Sequence, residues 1–167
     1  NKALFAEMYK LLAVYSPKDM QFIREYVPWS SFVVDGPIEF HGQKVSMLDL
    51  MEPRHKEKFV LKKGRGEGGE GVYIGRYTNL CEWTELICQS LNNPLYFVQE
   101  YLEPDSVILP YLNEDGVSFQ KTAFVLGQYA IGKEIISPLV RLDKANRRGV
   151  INHAQGAIVS PSLMEVL

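Results

Sequence analysis

A glycine-rich turn between two apolar segments carries the residue types that bind phosphate. Residues 58–76 read KFVLKKGRGEGGEGVYIGR, and five glycines lie within residues 64–71. A plain hairpin turn needs only one or two glycines. Backbone N–H groups of such a loop can turn toward one point and form an anion site, and a lysine adds a mobile positive charge. Lys62 and Lys63 alternate along the predicted strand, so only one of them can point into a given cleft.

The order of elements around this turn excludes two common phosphate motifs. A P-loop and a dinucleotide-binding turn both open a helix, whereas here an apolar strand-like segment follows the glycines. A flexible hairpin that folds over phosphates fits this order better. The alternative is a surface hairpin whose lysines are simply solvated.

The composition limits the classes of partner and of location. The chain has 18 basic and 20 acidic residues, and its net charge of -2 gives no global attraction to nucleic acid. No apolar run approaches the length of about 18 residues that spans a membrane, and no signal-peptide pattern opens the chain. Cys81 and Cys88 fall in one predicted helix about 10 Å apart, too far for a disulfide. We therefore expect a cytoplasmic protein with no membrane and no nucleic-acid partner.

The first third of the chain predicts helices with one short strand. Residues 1–15 form a helical stripe that we expect to be buried, and its members are Leu4, Phe5, Met8, Leu11, Leu12 and Tyr15. Ser16 followed by Pro17 predicts a capped helix that runs to about Tyr26. A short strand at 32–34 and a turn at 35–37 come next. Ser46 then predicts the start of a helix that ends at Pro53.

The remaining segments predict one more helix and a series of strands. The strand at 58–63 pairs with a strand at 71–76, and a further strand covers 95–101. Asn79 caps the helix between them, with Glu82 as its capping-box partner. We expect its buried face to consist of Leu80, Trp83, Ile87 and Leu91, and Trp29 to lie in the core as well. Later strands are predicted at 106–112, 118–126, 134–142 and 150–159, and the whole order favours an α+β fold.

Five stretches, in this order, resemble the circularly permuted branch of the ATP-grasp superfamily, whose members include glutathionylspermidine synthetase-like ligases. They are NKALFA at 1–6, VPWS at 27–30, FVLKKGRGEGGEGVYIG at 59–75, EW at 82–83 with FVQEYL at 97–102, and PLVRLDKANRRGVINHAQG at 138–156. The resemblance implies an ATP-grasp-like α+β unit over residues 1–167, with a mostly antiparallel sheet and flanking helices. Within it, 1–56 would hold the leading helices, 57–102 the nucleotide-gripping hairpin, helix and hinge strand, and 103–167 a strand-rich end.

The resemblance also assigns roles to particular residues. Lys62 would bind the nucleotide, and a loop over its phosphates would be formed by Gly66, Gly68, Gly69 and Gly71. The hinge that receives adenine would consist of Gln99, Glu100, Tyr101 and Leu102. Arg141 would face the phosphates or an acyl phosphate, and Asn152 would lie near the metal or a phosphate. The plainer alternatives are solvated lysines, an ordinary strand carboxylate at Glu100, a solvent-facing Arg141 and a turn or cap role for Asn152.

The activity that the resemblance implies is ATP-dependent joining of a carboxylate to an amine, with ATP and Mg²⁺ as cofactors. The chain departs from the family pattern in two places, with Lys63 where a proline is usual and Gln155-Gly156-Ala157 where two glycines are usual. The family's acid-x-Asn pair for the metal has no counterpart in this sequence. We therefore expect the metal ligands in an upstream half of the same protein, so that this C-terminal fragment alone is inactive.

Two other functions compete with a ligase. A non-catalytic ATP-grasp-like domain, kept for binding or assembly, would explain the replaced proline and the lost glycine pair. A nucleic-acid-binding domain could use the basic stretch at 54–65, but the net charge opposes it. That stretch also lacks interleaved aromatic residues.

Overall fold

The computed structural model describes residues 1–143 and 149–161. The chain divides into two compact units, Asn1–Leu102 and Glu103–Leu167. The fold is α+β with mostly antiparallel sheets, as the sequence predicted. Among the described residues, no helix has both the length and the apolar character needed to cross a membrane.

The first unit contains five helices and two small sheets. In chain order its elements are α1 (Leu4–Lys10), α2 (Pro17–Tyr26), β1 (Ser30–Phe32), β2 (Ile38–Phe40), β3 (Gln43–Val45), α3 (Met47–Met51), α4 (Pro53–Lys56), β4 (Phe59–Lys63), β5 (Val72–Ile74), α5 (Leu80–Ser90) and β6 (Tyr96–Glu100). Short 3-10 turns lie at Leu12–Val14 and Gly75–Tyr77. The larger sheet has the order β1-β6-β4-β5 with every pair antiparallel, and β2 pairs with β3.

Three helices begin at the caps that the sequence predicted. The Ser16 hydroxyl accepts a hydrogen bond from the Asp19 amide at 3.2 Å, with Pro17 in the first helical position. Ser46 forms a reciprocal capping box at the start of α3. The Asn79 side chain accepts from the Glu82 amide at 2.9 Å and starts α5. These bonds satisfy amides that a helix leaves without an internal partner.

One face of the larger sheet carries the main hydrophobic core. It is formed by Trp29, Val33, Val45, Leu50, Phe59, Leu61, Trp83, Ile87 and Val98. The indole of Trp83 donates to the Leu50 carbonyl at 2.8 Å, and that of Trp29 donates to the Glu39 carbonyl at 2.8 Å. The prediction that both tryptophans lie in the core is confirmed.

The other face of the sheet is covered by α1, which packs through small side chains. Ala3 and Ala6 lie against Phe97 of β6, with Phe32 beside them. The predicted apolar stripe is wrong as a core face, because Leu4 is 61% exposed and Leu11 is 45% exposed. Alanines let the helix approach the sheet closely, which the larger side chains of the stripe would prevent. The helix also ends at Lys10 and not at residue 15.

Several other boundaries differ from the prediction. The strand expected at 32–34 is β1, two residues earlier, and α3 ends at Met51 with a separate helix starting at Pro53. Leu80 was expected to be buried but is 43% exposed, because it is the first residue of α5 and faces away from the core. The β2–β3 hairpin was not predicted. Its turn is His41-Gly42, where both residues have positive φ.

The second unit is a four-stranded antiparallel sheet of order β10-β9-β8-β7. Its strands are β7 (Ser106–Asn113), β8 (Gly116–Ile131), β9 (Glu134–Asp143) and β10 (Ile158–Pro161). The strand predicted at 150–159 is wrong over most of its length, since a 3-10 turn covers His153–Gln155 and Gly156 has a φ of 90°. Part of the stretch 138–156 that resembles the ATP-grasp family, residues 144–148, lies outside the described residues.

Candidate functional site

The glycine-rich loop joins β4 to β5, and its conformation requires glycine. Gly66 and Gly71 have φ values of 148° and 65°. A Cβ on Gly66 would lie 2.9 Å from the Glu70 carbonyl oxygen, and one on Gly71 would lie 2.7 Å from Cβ of Lys63. Other residues would be strained at both positions. The excess of glycine noted in the sequence is therefore explained in part by the turn itself.

Main-chain hydrogen bonds hold this loop closed at its base and at its tip. The Lys63 amide donates to the Gly71 carbonyl at 2.7 Å, and the Glu70 amide donates to the Glu67 carbonyl at 2.8 Å. The loop carries two glutamates beside Arg65, so its own net charge is not positive. Positive charge for binding an anion therefore has to come from residues outside the loop.

Lys62 supplies one such charge from β4. Its ammonium donates a hydrogen bond to Oε1 of Gln99, and Nε2 of Gln99 donates to the Ser30 hydroxyl at 2.9 Å. The Ser30 hydroxyl in turn donates to the Pro28 carbonyl at 3.0 Å. Gln99 and Ser30 are buried. This series of hydrogen bonds crosses β4, β6 and β1 and fixes the direction of the Lys62 side chain.

Lys2 brings an ammonium group directly to the glycine-rich loop. Its Nζ donates to the Gly66 carbonyl at 2.9 Å, and its amide donates to the Gly64 carbonyl at 2.8 Å. Burial lowers the pKa of Lys62, and the positive charge of Lys2 lowers it further. Neither lysine is in an ion pair within the described residues. Lys2 was not predicted as a site residue, because no local pattern shows that the start of α1 reaches a loop more than sixty positions away.

The hinge residues lie at the end of β6, with two of their amides already bonded. The Glu100 amide donates to the Trp29 carbonyl and the Tyr101 amide to the Lys58 carbonyl, both at 2.8 Å. The Glu100 carboxylate contacts Nε2 of His41 at 3.0 Å. Leu102 is 59% exposed. A main-chain contact to adenine from this segment would therefore use carbonyl groups or the Leu102 amide.

A cation–π contact from the 3-10 turn at Gly75–Tyr77 reaches the predicted hinge. The guanidinium of Arg76 lies over the Tyr101 ring, 4.8 Å from its centroid. Such a cation–π contact favours one orientation of the ring. The structure thus places all four predicted hinge residues in the unit that also holds Lys62 and the glycine loop.

Arg141 and Asn152 lie in the second unit. Arg141 is on β9, opposite Val125 and Val159, and its Nη2 would lie 3.3 Å from a Cβ on Gly127. Oδ1 of Asn152 accepts a hydrogen bond from the Ala154 amide at 3.0 Å, which caps the 3-10 turn. Asn152 therefore has the cap role that the sequence left open as an alternative. A ligand role for either residue stays a prediction.

The part of the chain that the structure describes offers no metal centre. Within residues 1–143 and 149–161, no group of three or more His, Cys, Asp or Glu side chains is placed to hold a metal ion. Mg²⁺ prefers clustered oxygen ligands. Mg²⁺ as a cofactor stays a prediction from the resemblance.

Comparisons with known protein families, with curated proteins and with solved structures found no match for this chain. The resemblance to ATP-grasp enzymes therefore stays a prediction. The geometry brings the Lys2 ammonium onto the glycine-rich loop and places the Lys62 ammonium close enough for the charge of Lys2 to lower its pKa, in the same unit as the end of β6.

Proposed function

We propose that this chain binds ATP, as the nucleotide-gripping part of an ATP-grasp-type carboxylate–amine ligase. The observation that supports it most is that the Lys2 ammonium is bonded to the glycine-rich loop, while its charge acts on the nearby Lys62 ammonium. Two like charges repel each other, and burial adds a further cost. A bound polyphosphate would relieve both costs at once.

The neighbours of the two lysines fit an anion better than they fit a structural ion pair. Lys62 is hydrogen-bonded to the neutral Gln99, and Lys2 to a carbonyl. Neutral partners orient an ammonium group without cancelling its charge, so both charges stay available to phosphate oxygens. The half-buried end of β6 and the exposed Leu102 just beyond it offer main-chain groups for a base at the other end of the nucleotide.

The proposed reaction has two steps. An oxygen of the carboxylate attacks the γ-phosphorus of ATP, and ADP leaves as the acyl phosphate forms. The amine nitrogen then attacks the acyl carbon, releasing phosphate and one proton as the amide bond forms. Positive groups act here by stabilising the charge that develops on the phosphoryl oxygens. In this proposal Lys2 and Lys62 hold the phosphates.

A second candidate is a non-catalytic ATP-grasp-like domain that serves binding or assembly. The side chain of Asn152 is already used as a cap, which favours this candidate. So do Lys63 and the single glycine of Gln155-Gly156-Ala157. Both candidates expect ATP to bind, and they differ in whether phosphate is released.

Binding of a fluorescent ATP analogue tests the shared part of the proposal. Lys62→Ala is expected to weaken binding about tenfold or more, the value of a lost charge-assisted hydrogen bond. Lys63→Ala is the matched control, because this lysine alternates with Lys62 and points to the opposite face. The affinity of the control for the ATP analogue should stay within about threefold of that of the unchanged protein. If the unchanged protein shows no saturable binding, the proposal is wrong.

Phosphate release separates the two candidates. Because the ligase is expected to need an upstream half, a protein that includes this half is incubated with ATP and with pools of carboxylic acids and amines, and released phosphate is measured. Release that requires both an acid and an amine supports the ligase. Saturable ATP binding without release under any pool supports the non-catalytic domain.

A further inference from the structure

Strand β1 forms one edge of the larger sheet in the first unit, and its outer side opens into a cavity of about 1000 Å³. Residues 30–34 line the floor of this cavity, which we call the β1 groove. Helices α1 and α2 contribute one wall, with Ala6, Lys10 and Arg24 among the lining residues. The β2–β3 hairpin contributes the other wall.

The backbone of β1 directs hydrogen-bonding groups into this groove. The Trp29 carbonyl accepts from the Glu100 amide, and the Val33 carbonyl accepts from the Asn92 amide, both at 2.8 Å. The Trp29 carbonyl therefore points toward β6, and the Val33 carbonyl points toward the loop before β6 that contains Asn92. Because main-chain groups alternate in direction along a strand, Phe32 and Val34 face the groove instead. Within the described residues, neither amide has a hydrogen-bond partner.

The size of the groove suits an extended chain. β1 itself spans three residues, Ser30–Phe32, and the stretch 30–34 extends over at most about 17 Å, so it presents an edge for a segment of similar length. A volume of about 1000 Å³ is at the upper end of the range for small-molecule pockets. An unpaired strand edge is a template for another strand, and addition of a peptide strand is a common mode of recognition.

The charges along the groove indicate which peptide fits. Glu7 pairs with Lys10 at 3.9 Å, and Glu39 lies opposite Lys44 in the hairpin register. Arg24 is in no ion pair within the described residues. A carboxylate on the occupant would therefore complement the one lining cation that lacks a described counter-charge.

We propose that the β1 groove binds an extended peptide segment of a partner protein, which adds as a further strand beside β1 and places an acidic side chain at Arg24. The main chain of the peptide pairs with Phe32 and Val34, and its alternate side chains enter the groove. This interaction goes beyond nucleotide binding and uses neither Lys2 nor Lys62.

The test is a selection from a displayed library of random octapeptides on the full chain, followed by affinity measurement with the selected peptides. We expect peptides with alternating apolar residues and at least one Asp or Glu. Val34→Pro removes a groove-facing amide and is expected to weaken binding about threefold or more. Val34→Ala keeps that amide and is the matched control, with binding expected within about twofold.

Two further measurements keep the test decisive if Val34→Pro folds poorly. Selected peptides with N-methyl groups on alternate residues should lose binding to the unchanged protein when the methyls face β1. Hydrogen exchange of the Phe32 and Val34 amides should slow when the unmodified peptide binds. The proposal is overturned if no peptide is enriched, or if enriched peptides leave both amides unprotected.

Substitution of Arg24 tests whether the groove prefers peptides with an acidic side chain. Arg24→Glu is expected to reverse the selection toward Lys and Arg, whereas Arg24→Lys should preserve the acidic preference. Selection of the same acidic peptides by Arg24→Glu would contradict the charge argument. Val34→Pro should bind the ATP analogue unchanged, and Lys62→Ala should bind the peptide unchanged, so each proposal can fail alone.

Discussion

Lys62 of β4 donates a hydrogen bond to Oε1 of Gln99 on the neighbouring strand β6. Nε2 of Gln99 is committed to the Ser30 hydroxyl, which leaves its oxygen for the lysine. The amide of Gln99 is neutral, so it holds the ammonium in place without pairing its charge. The positive charge of Lys62 is thus partly buried and oriented but not neutralised.

Gln99→Glu is expected to weaken binding of an ATP analogue about tenfold or more. A glutamate at this position would pair with the Lys62 ammonium and repel phosphate, because it adds a buried negative charge where the neutral amide was. Gln43→Glu is the control, since it adds the same charge at an exposed position on β3. Equal affinities of the two variants would show that Lys62 does not contact the phosphates.

The lowered pKa of Lys62 predicts a pH dependence of stability. Burial and the charge of Lys2 lower this pKa in the folded state from its ordinary value of 10.5. Between the lowered pKa and 10.5, the unfolded chain binds more protons than the folded protein, so the free energy of unfolding rises with pH. Protonated Lys62 thus destabilises the fold at neutral pH, and that cost is relieved as the pH increases.

Lys62→Met isolates this effect. The free energy of unfolding of the unchanged protein, measured relative to Lys62→Met by urea denaturation, is expected to be higher at about pH 9.5 than at about pH 7. Burial raises the pKa of Tyr9, which acts in the opposite sense above 10.0, so the measurement stays below that range. A difference between the two proteins that is constant or falls with pH would contradict the burial of a charged Lys62.

The sequence predicted the elements whose signals are local. Ser16 and Asn79 were identified as caps because their side chains reach amides only three positions ahead. The strands at 58–63 and 71–76 were identified because a turn rich in glycine separates two apolar runs. The β2–β3 hairpin was missed although it has a two-residue turn, since His41-Gly42 is a rarer pair than Asn-Gly in such turns.

What the sequence could not predict depends on distant segments. Ala3 and Ala6 carry the contact of α1 with the sheet, and two alanines give a weaker signal than the stripe of large residues beside them. Lys2 reaches the glycine loop only because the start of α1 is bonded to Gly64. Gln99 was predicted as a hinge residue that receives adenine, but its side chain is used to orient Lys62.

Lys56 has a structural role that can be measured. It is a buried lysine whose Nζ donates to the Gly75 and Thr78 carbonyls, the second at 2.8 Å. Lys56→Met keeps the aliphatic stem but leaves both carbonyls without this donor. We expect a loss of about 1–3 kcal/mol in the free energy of unfolding, measured by urea denaturation.

Lys58→Met is the matched control for this loss. Lys58 is an exposed lysine two positions along the chain, and its replacement is expected to change stability by less than about 0.5 kcal/mol. If the two variants are equally stable, the bonds from Lys56 contribute nothing to the position of the 3-10 turn at Gly75–Tyr77.

Gly71→Ala tests whether the conformation of the glycine loop is set by sterics. Gly71 has a φ of 65°, and an added Cβ would lie 2.7 Å from Cβ of Lys63, the residue whose amide donates to the Gly71 carbonyl. Gly42→Ala is the control, because Gly42 has a similar φ of 78° but nothing within 4 Å of an added Cβ. The control should cost about 1 kcal/mol from backbone strain alone, and Gly71→Ala about 2–4 kcal/mol, since the contact adds to the strain. Both losses in the free energy of unfolding are to be measured by urea denaturation. Equal losses in the two variants would mean that β4 and the loop shift to admit the methyl group, and that Gly71 is needed for its φ alone.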